Sequence, residues 1–175
     1  EQELYQFGIR NGMILLLNVV TALVIGLLTE QLAVVAVFTL SFMVLRSYTG
    51  GYHSDSRVFC YLGSNLVLLV PVYTQAVFYK TSLAWLLAVL LVSAGIIFLL
   101  SPMHSKNRKL DKEEQKHFGR KARLIAALEL AVLGILWHAG QIPYAYAVYT
   151  GICITALFML VGKAQLWIQS HTENG

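Results

Sequence analysis

Six apolar runs alternate with short polar segments along the chain. They do not show the short alternating segments of a transmembrane barrel, so the pattern predicts an all-α integral membrane protein. A full span needs about 20 residues, and the shorter runs can reach that length when flanking side chains extend to the interface. We expect one transmembrane helical domain over residues 1–175, a six-transmembrane-helix bundle with spans at approximately 13–28, 32–46, 58–79, 82–100, 124–139 and 143–162.

Two prolines and one carboxylate interrupt the apolar pattern. Pro71 lies within the third run, and because proline has no backbone N–H, it predicts a kink there. Pro102 ends the fourth run for the same reason. Glu129 is the one carboxylate inside an apolar run, and we expect it to make a helix-packing hydrogen bond near the cytoplasmic end of the fifth span.

The composition supports a membrane protein and excludes several other classes. Hydrophobic residues make up 57% of the chain and charged residues 13%, whereas a soluble domain carries about 25% charged residues. The mean hydropathy is +0.64. The net charge of +4 comes from basic residues in the gaps between apolar runs, so it does not indicate nucleic-acid binding. Two cysteines, Cys60 and Cys153, without framework spacing exclude a disulfide scaffold and a zinc ribbon.

Basic residues are distributed unevenly between the two sides that six spans define. One lies near the N-terminus, two lie in 46–57, eight lie in 101–123 and one lies in the C-terminal tail, which makes 12, and Lys80 alone lies on the other side. Because basic loops stay in the cytoplasm, both termini and both polar segments are expected there. A thiol on this side is kept reduced, so Cys60 should be a free thiol.

Candidate chemistry is concentrated between the second and third runs, where His53 precedes Cys60 by seven residues. A thiol and an imidazole can act as nucleophile and base. In one straight helix they would lie about 10 Å apart along the axis, so direct contact requires a reentrant or looped segment that brings His53 back onto Cys60. Gly50 and Gly51 provide the backbone freedom for this. A helix capped within 54–56 would favour a Cys60 thiolate at its positive end. The alternative is that both residues only pack in a tight turn.

The segment 101–123 is predicted to be a basic cytoplasmic loop. It carries eight basic and three acidic residues, which gives a net charge of +5. Such a loop can bind anionic lipid headgroups as a topology anchor. It can equally dock an acidic cytosolic partner or substrate on the side of the bundle that holds His53 and Cys60. The residues leave both interpretations open.

Two motifs resemble the accessory gene regulator B (AgrB) family. The first is Arg46-x4-Gly51-x-His53-x6-Cys60 between two apolar runs, and the second is Ser101-Pro102 followed by the basic stretch Asn107–Leu110. The six-run layout extends the resemblance over nearly the whole chain. It implies a multi-pass protein of the bacterial cell membrane that acts in quorum sensing.

The resemblance also implies an activity and the residues that perform it. The family member would be a cysteine endopeptidase that removes the acidic C-terminal tail of a small AgrD-type precursor and helps close a thiolactone or lactone ring. Cys60 corresponds to the nucleophile and His53 to its base, with Arg46 and Gly51 as supporting positions. No metal or other cofactor is implied, and the family association with homodimers implies a second copy as partner. An acidic tail makes Lys106, Arg108 and Lys109 candidate docking residues.

Two other function classes remain as alternatives. One is a small non-enzymatic membrane transporter or scaffold, although no predicted span contains an ionic pair. The other is a metal-dependent membrane hydrolase that uses cytoplasmic histidines with Cys60, although the chain contains no spacing such as H-E-x-x-H. A thiol-alkylating reagent and a chelator would distinguish a thiol protease from a metal enzyme.

Overall fold

The computed structural model of the chain describes residues 2–50, 57–103 and 112–172. Every secondary-structure element in these ranges is an α-helix. The helices, in chain order, are α1 Gln2–Leu28, α2 Leu32–Thr49, α3 Arg57–Tyr73, α4 Gln75–Lys80, α5 Leu83–Leu100, α6 Lys112–His138 and α7 Ile142–Thr172. The all-α prediction is therefore confirmed for this part of the chain.

Three of these helices are long and apolar enough to cross a bilayer: Leu32–Thr49, Leu83–Leu100 and Ile142–Ile168. A shorter apolar stretch, Leu16–Leu28, lies in α1. Large apolar side chains on α5 are exposed, including Trp85, Leu91 and Leu99, as expected of a surface that faces lipid. These helices are compatible with a membrane protein, and the arrangement of six spans remains a prediction.

The helix α7 lies at the centre of the bundle, packed against α2, α5 and α6. Small residues on α7 allow this close packing. At Gly151, an added Cβ would lie 2.5 Å from Ser41 Oγ of α2. Further along both helices, Arg46 of α2 lies over the ring of Phe158 of α7. Since residue numbers increase in the same direction on both helices, α2 and α7 run parallel.

The helix α6 runs antiparallel to α2. Ser41 contacts Glu129, and Tyr48, two turns further along α2, contacts Phe118, which lies earlier in α6. The C-terminal end of α2 therefore lies at the same end of the bundle as the N-terminal part of α6. The C-terminal end of α5 lies there too, because the Met103 N–H just after it donates to the Thr49 carbonyl oxygen. We call this the motif end, because both sequence motifs reach it.

The third apolar run is broken into α3 and α4 at Thr74, three residues after Pro71. Tyr146 of α7 stabilises the break, because its hydroxyl donates to the Pro71 carbonyl oxygen at 3.0 Å and lies 2.6 Å from Thr74 Oγ1. The kink predicted from Pro71 thus takes the form of an interruption one turn later. Tyr146 is near the start of α7, which lies at the opposite end of the bundle from the motif end. The C-terminal end of α3 therefore lies at that opposite end, and α3 begins toward the motif end.

The prediction of a basic loop over 101–123 is wrong in its second half, because α6 already begins at Lys112. Glu113 lies in the first turn of this helix, where negative charge stabilises the helix dipole. Most residues that follow have high helix propensity, including Gln115, Lys116, Arg120 and Lys121. Residues 104–111 lie outside the described ranges.

Candidate functional site

The first sequence motif begins on the last turn of α2. Arg46 accepts the closing hydrogen bond of this helix, from the Gly50 N–H to its carbonyl oxygen at 3.2 Å. Gly50 has φ of 73°, in the left-handed region that favours glycine. The chain thus leaves α2 at Gly50, directly before Gly51 and His53 in the sequence.

The segment Ser101–Met103, which holds the start of the second motif, packs onto this end of α2. The Met103 N–H donates to the Thr49 carbonyl oxygen at 2.9 Å. A Cβ on Gly50 would lie 2.7 Å from the Met103 carbonyl oxygen, so only glycine permits this approach. Two motifs that are separated in sequence therefore meet at the motif end.

The N-terminal half of α6 covers the other side of this segment. A Cβ on Gly119 would lie 2.9 Å from Pro102 Cδ, so the helix backbone contacts the proline ring. The ring centroids of Phe118 and Tyr48 lie 6.3 Å apart, and Lys121 Nζ lies 5.9 Å from the Tyr48 centroid. The basic start of α6 thus lies beside the end of α2.

The Arg46 side chain points along α2 toward α7 rather than away from the bundle. Its Cζ atom lies 4.6 Å from the ring centroid of Phe158 and 5.7 Å from that of Phe42. Both distances are within the range of cation–π attraction. Phe42 was visible as a neighbour at i−4 in the sequence, but Phe158 comes from the last helix, and sequence reasoning did not find it.

Cys60 is the fourth residue of α3, so it lies in the first turn of that helix. This agrees with the expectation that a helix carries Cys60 near its N-terminal end. The Cys60 side chain, His53 and Gly51 lie outside the described part of the structure, as do Lys106, Arg108 and Lys109. The fold-back of His53 onto Cys60 therefore stays a prediction.

Next to Cys60, Tyr61 connects α3 to α1. Its hydroxyl lies 2.9 Å from Thr21 Oγ1, within hydrogen-bonding distance.

Within residues 2–50, 57–103 and 112–172, no three His, Cys, Asp or Glu side chains come together as candidate metal ligands.

Residues 1–160 match the family model described as accessory gene regulator B. The match includes both motifs and all seven helices in whole or in part.

The chain belongs to the accessory gene regulator B family. It is 26% identical over 156 residues to the accessory gene regulator protein B of Staphylococcus intermedius, covering 87% of this chain and 80% of that protein. It is also 24% identical over 129 residues to a protein of Clostridium perfringens (strain 13 / Type A) described as AgrB-like, covering 70% of this chain and 60% of the relative. No solved structure matches the chain.

Family membership confirms the resemblance drawn from the motifs. It supports a role in quorum-sensing peptide processing within the accessory gene regulator system. It also implies association with an AgrD-type precursor peptide.

Proposed function

We propose that the protein is a membrane-embedded cysteine endopeptidase that cleaves the C-terminal tail from an AgrD-type precursor. Cys60 is the nucleophile and His53 is its general base. The observation that carries this proposal is the pattern Arg46-x4-Gly51-x-His53-x6-Cys60 in a chain matched to the family over residues 1–160. The position of Cys60 in the first turn of α3 supports it, because the positive end of a helix favours a thiolate.

The cleavage step forms one bond and breaks another. His53 takes the proton of the Cys60 thiol, and the thiolate attacks the carbonyl carbon of the scissile peptide bond. The carbon–nitrogen bond then breaks, and His53 returns the proton to the leaving amine of the tail. The precursor remains attached to the Cys60 sulfur as a thioester.

Ring closure follows from the same thioester. A thiol or hydroxyl of the precursor attacks the thioester carbonyl, its proton passes to the Cys60 sulfur, and a thiolactone or lactone is released. This exchange requires no external energy source, since one thioester is replaced by another thioester or by a more stable oxygen ester. Apolar helices around the site would favour closure over hydrolysis by excluding water.

In the proposed topology the chain crosses the membrane six times. The motif end and both termini lie on the cytoplasmic side. The directions of α2, α5, α6 and α7 support this arrangement, because they gather the motif segments at one end. The partners are the precursor peptide, the bilayer and a second copy of the chain in a homodimer.

The test is co-expression of the protein with its precursor peptide in a bacterial membrane, followed by measurement of tail release. Cys60→Ala and His53→Ala should each abolish cleavage while membrane insertion is retained. Cys153→Ala is the matched control, since this free cysteine lies in α7, and it should cleave normally. Cleavage in Cys60→Ala at the wild-type rate would refute the proposal.

Two reagents separate this mechanism from metal catalysis. An alkylating reagent should stop cleavage by the wild-type protein, and a chelator should leave it unchanged. The opposite result would favour a metal-dependent hydrolase. Normal association with the precursor but no cleavage under any condition would favour a transporter or scaffold.

A further inference from the structure

The Arg46 guanidinium lies against two phenylalanine rings from different helices. Its Cζ atom is 4.6 Å from the ring centroid of Phe158 on α7 and 5.7 Å from that of Phe42 on α2. We propose that Phe158, supported by Phe42, is a positioning residue that holds the Arg46 guanidinium for peptide cleavage. This inference rests on the proposed function and adds a residue of α7 to the site.

The two rings are themselves held in place by the core. Phe42 and Phe158 meet edge to face, with centroids 5.8 Å apart and an interplanar angle of 63°. Phe38, which is 0% exposed, stacks on the Phe42 ring with centroids 5.9 Å apart. The rings that contact the guanidinium are therefore packed against a buried ring of α2.

The backbone of α7 brings Phe158 close enough to act on α2. Gly151 lies seven residues before Phe158, on the same face of the helix. A Cβ at this position would meet Ser41 Oγ at 2.5 Å and Ser41 Cβ at 3.2 Å, so the two helices approach as closely as a glycine permits. The position of Arg46 thus depends on how α7 packs against α2.

An arginine held in this way can act where negative charge develops. A long, flexible side chain loses conformational entropy when it is fixed, and contact with aromatic rings offsets part of that cost before substrate binds. A guanidinium packed against rings still has N–H groups along its edge that can donate to a carboxylate or an oxyanion. Charge that forms on the scissile carbonyl would be stabilised by such a pre-positioned donor.

The experiment compares Phe158→Leu with Phe158→Tyr in the cleavage assay. The leucine keeps apolar contact but removes the ring, and kcat should fall about 2- to 30-fold, as expected from the loss of a cation–π contact. The tyrosine keeps the ring and should retain wild-type kcat. KM should change little in either variant, because the contribution is made in the transition state. Met159→Leu, at the adjacent buried position of α7, is the packing control and should cleave normally.

A second measurement does not depend on activity. In purified protein, the shifts in Tm caused by Arg46→Ala and Phe158→Leu should add to more than the shift of the double variant, because both remove the same contact. Additive shifts, or a tyrosine variant as impaired as the leucine variant, would overturn the inference. If Cys60→Ala is inactive and Phe158→Leu has wild-type kcat, only this inference fails. If Cys60→Ala is active, the proposed function fails.

Discussion

Ser41 of α2 donates a hydrogen bond to Glu129 of α6, with 2.8 Å between Oγ and Oε2. The contact lies between two helices that continue from it to the motif end, one ending at Thr49 and the other beginning at Lys112. Polar contacts of this kind fix how membrane helices are placed against one another. The pair therefore sets the position of the α2 end relative to the basic start of α6.

We expect this pair to be energetically coupled. Ser41→Ala and Glu129→Ala should each lower the stability of the purified protein, and a double-mutant cycle should give a coupling of about 0.6–1.7 kcal/mol. Thermal unfolding in detergent provides the measurement. Ser47→Ala is the control, because Ser47 is exposed and its hydroxyl donates within its own helix, to the Met43 carbonyl oxygen at 2.7 Å. A coupling of zero would mean that the hydrogen bond does not stabilise the bundle.

Gly50 and Gly140 are two glycines with nearly the same φ angle. Their φ angles are 73° and 72°, but a Cβ would lie 2.7 Å from the Met103 carbonyl oxygen at Gly50 and meet nothing within 4 Å at Gly140. Gly140→Ala should cost about 1–2 kcal/mol of stability, from backbone strain alone.

Gly50→Ala should cost more, because the strain is joined by a clash with backbone that a side-chain rotation cannot relieve. Its cleavage activity should also fall, since the Thr49–Met103 contact holds the two motifs together. Thermal unfolding and tail release measure the two effects. Equal losses of stability at both positions would show that the Met103 segment shifts to make room for the methyl group at position 50.

Tyr146→Phe should destabilise the break between α3 and α4. The change removes the donor to the Pro71 carbonyl oxygen and the contact with Thr74, while the ring remains. An unpaired buried polar group costs about 1–3 kcal/mol, so the midpoint of thermal unfolding should fall. Tyr73→Phe is the control, because Tyr73 is 73% exposed, and it should leave the midpoint unchanged. A Tyr146→Phe variant as stable as the control would show that the break holds without this hydroxyl.

The docking role of the basic segment can be tested through KM. If Lys106, Arg108 and Lys109 bind the acidic tail, neutralising all three should raise KM more than it lowers kcat, because substrate and transition state share the contact. The wild-type KM should also rise with salt, since exposed charges are screened over about 8–10 Å at physiological ionic strength.

The matched control for this triple variant removes three other exposed basic charges, at Lys116 and Arg120 of α6 and Lys163 of α7. A general effect of charge would raise KM equally in both variants. Protease accessibility of the segment monitors orientation. A correctly oriented triple variant with wild-type KM on the full tail would leave the segment as a topology anchor.

The periodicity of the chain predicted the helices well, because apolar runs bounded by polar turns depend on local sequence. Helix boundaries were less accurate where a charged stretch has high helix propensity, as at Lys112, since polarity was read as a loop. The hydrogen bond expected of Glu129 was confirmed, but its partner Ser41 was not predicted.

Contacts between distant helices could not be derived from one sequence. Phe158 comes to Arg46 only because α7 runs parallel to α2, and nothing near residue 158 in the sequence marks it as part of a site. The meeting of Thr49 with Met103 is of the same kind. The proximity of His53 to Cys60 remains a prediction from motif and spacing.

The tight fit of Gly151 against Ser41 has a consequence for how this chain can vary between species. A methyl group at 151 would lie 2.5 Å from Ser41 Oγ, so Ser41 would have to rotate away from Glu129 or the two helices would have to separate. The space between the two helices limits the combined size of the side chains at positions 41 and 151. Among related chains we expect a larger residue at one position to be accompanied by a smaller one at the other, or by a wider spacing of the two helices.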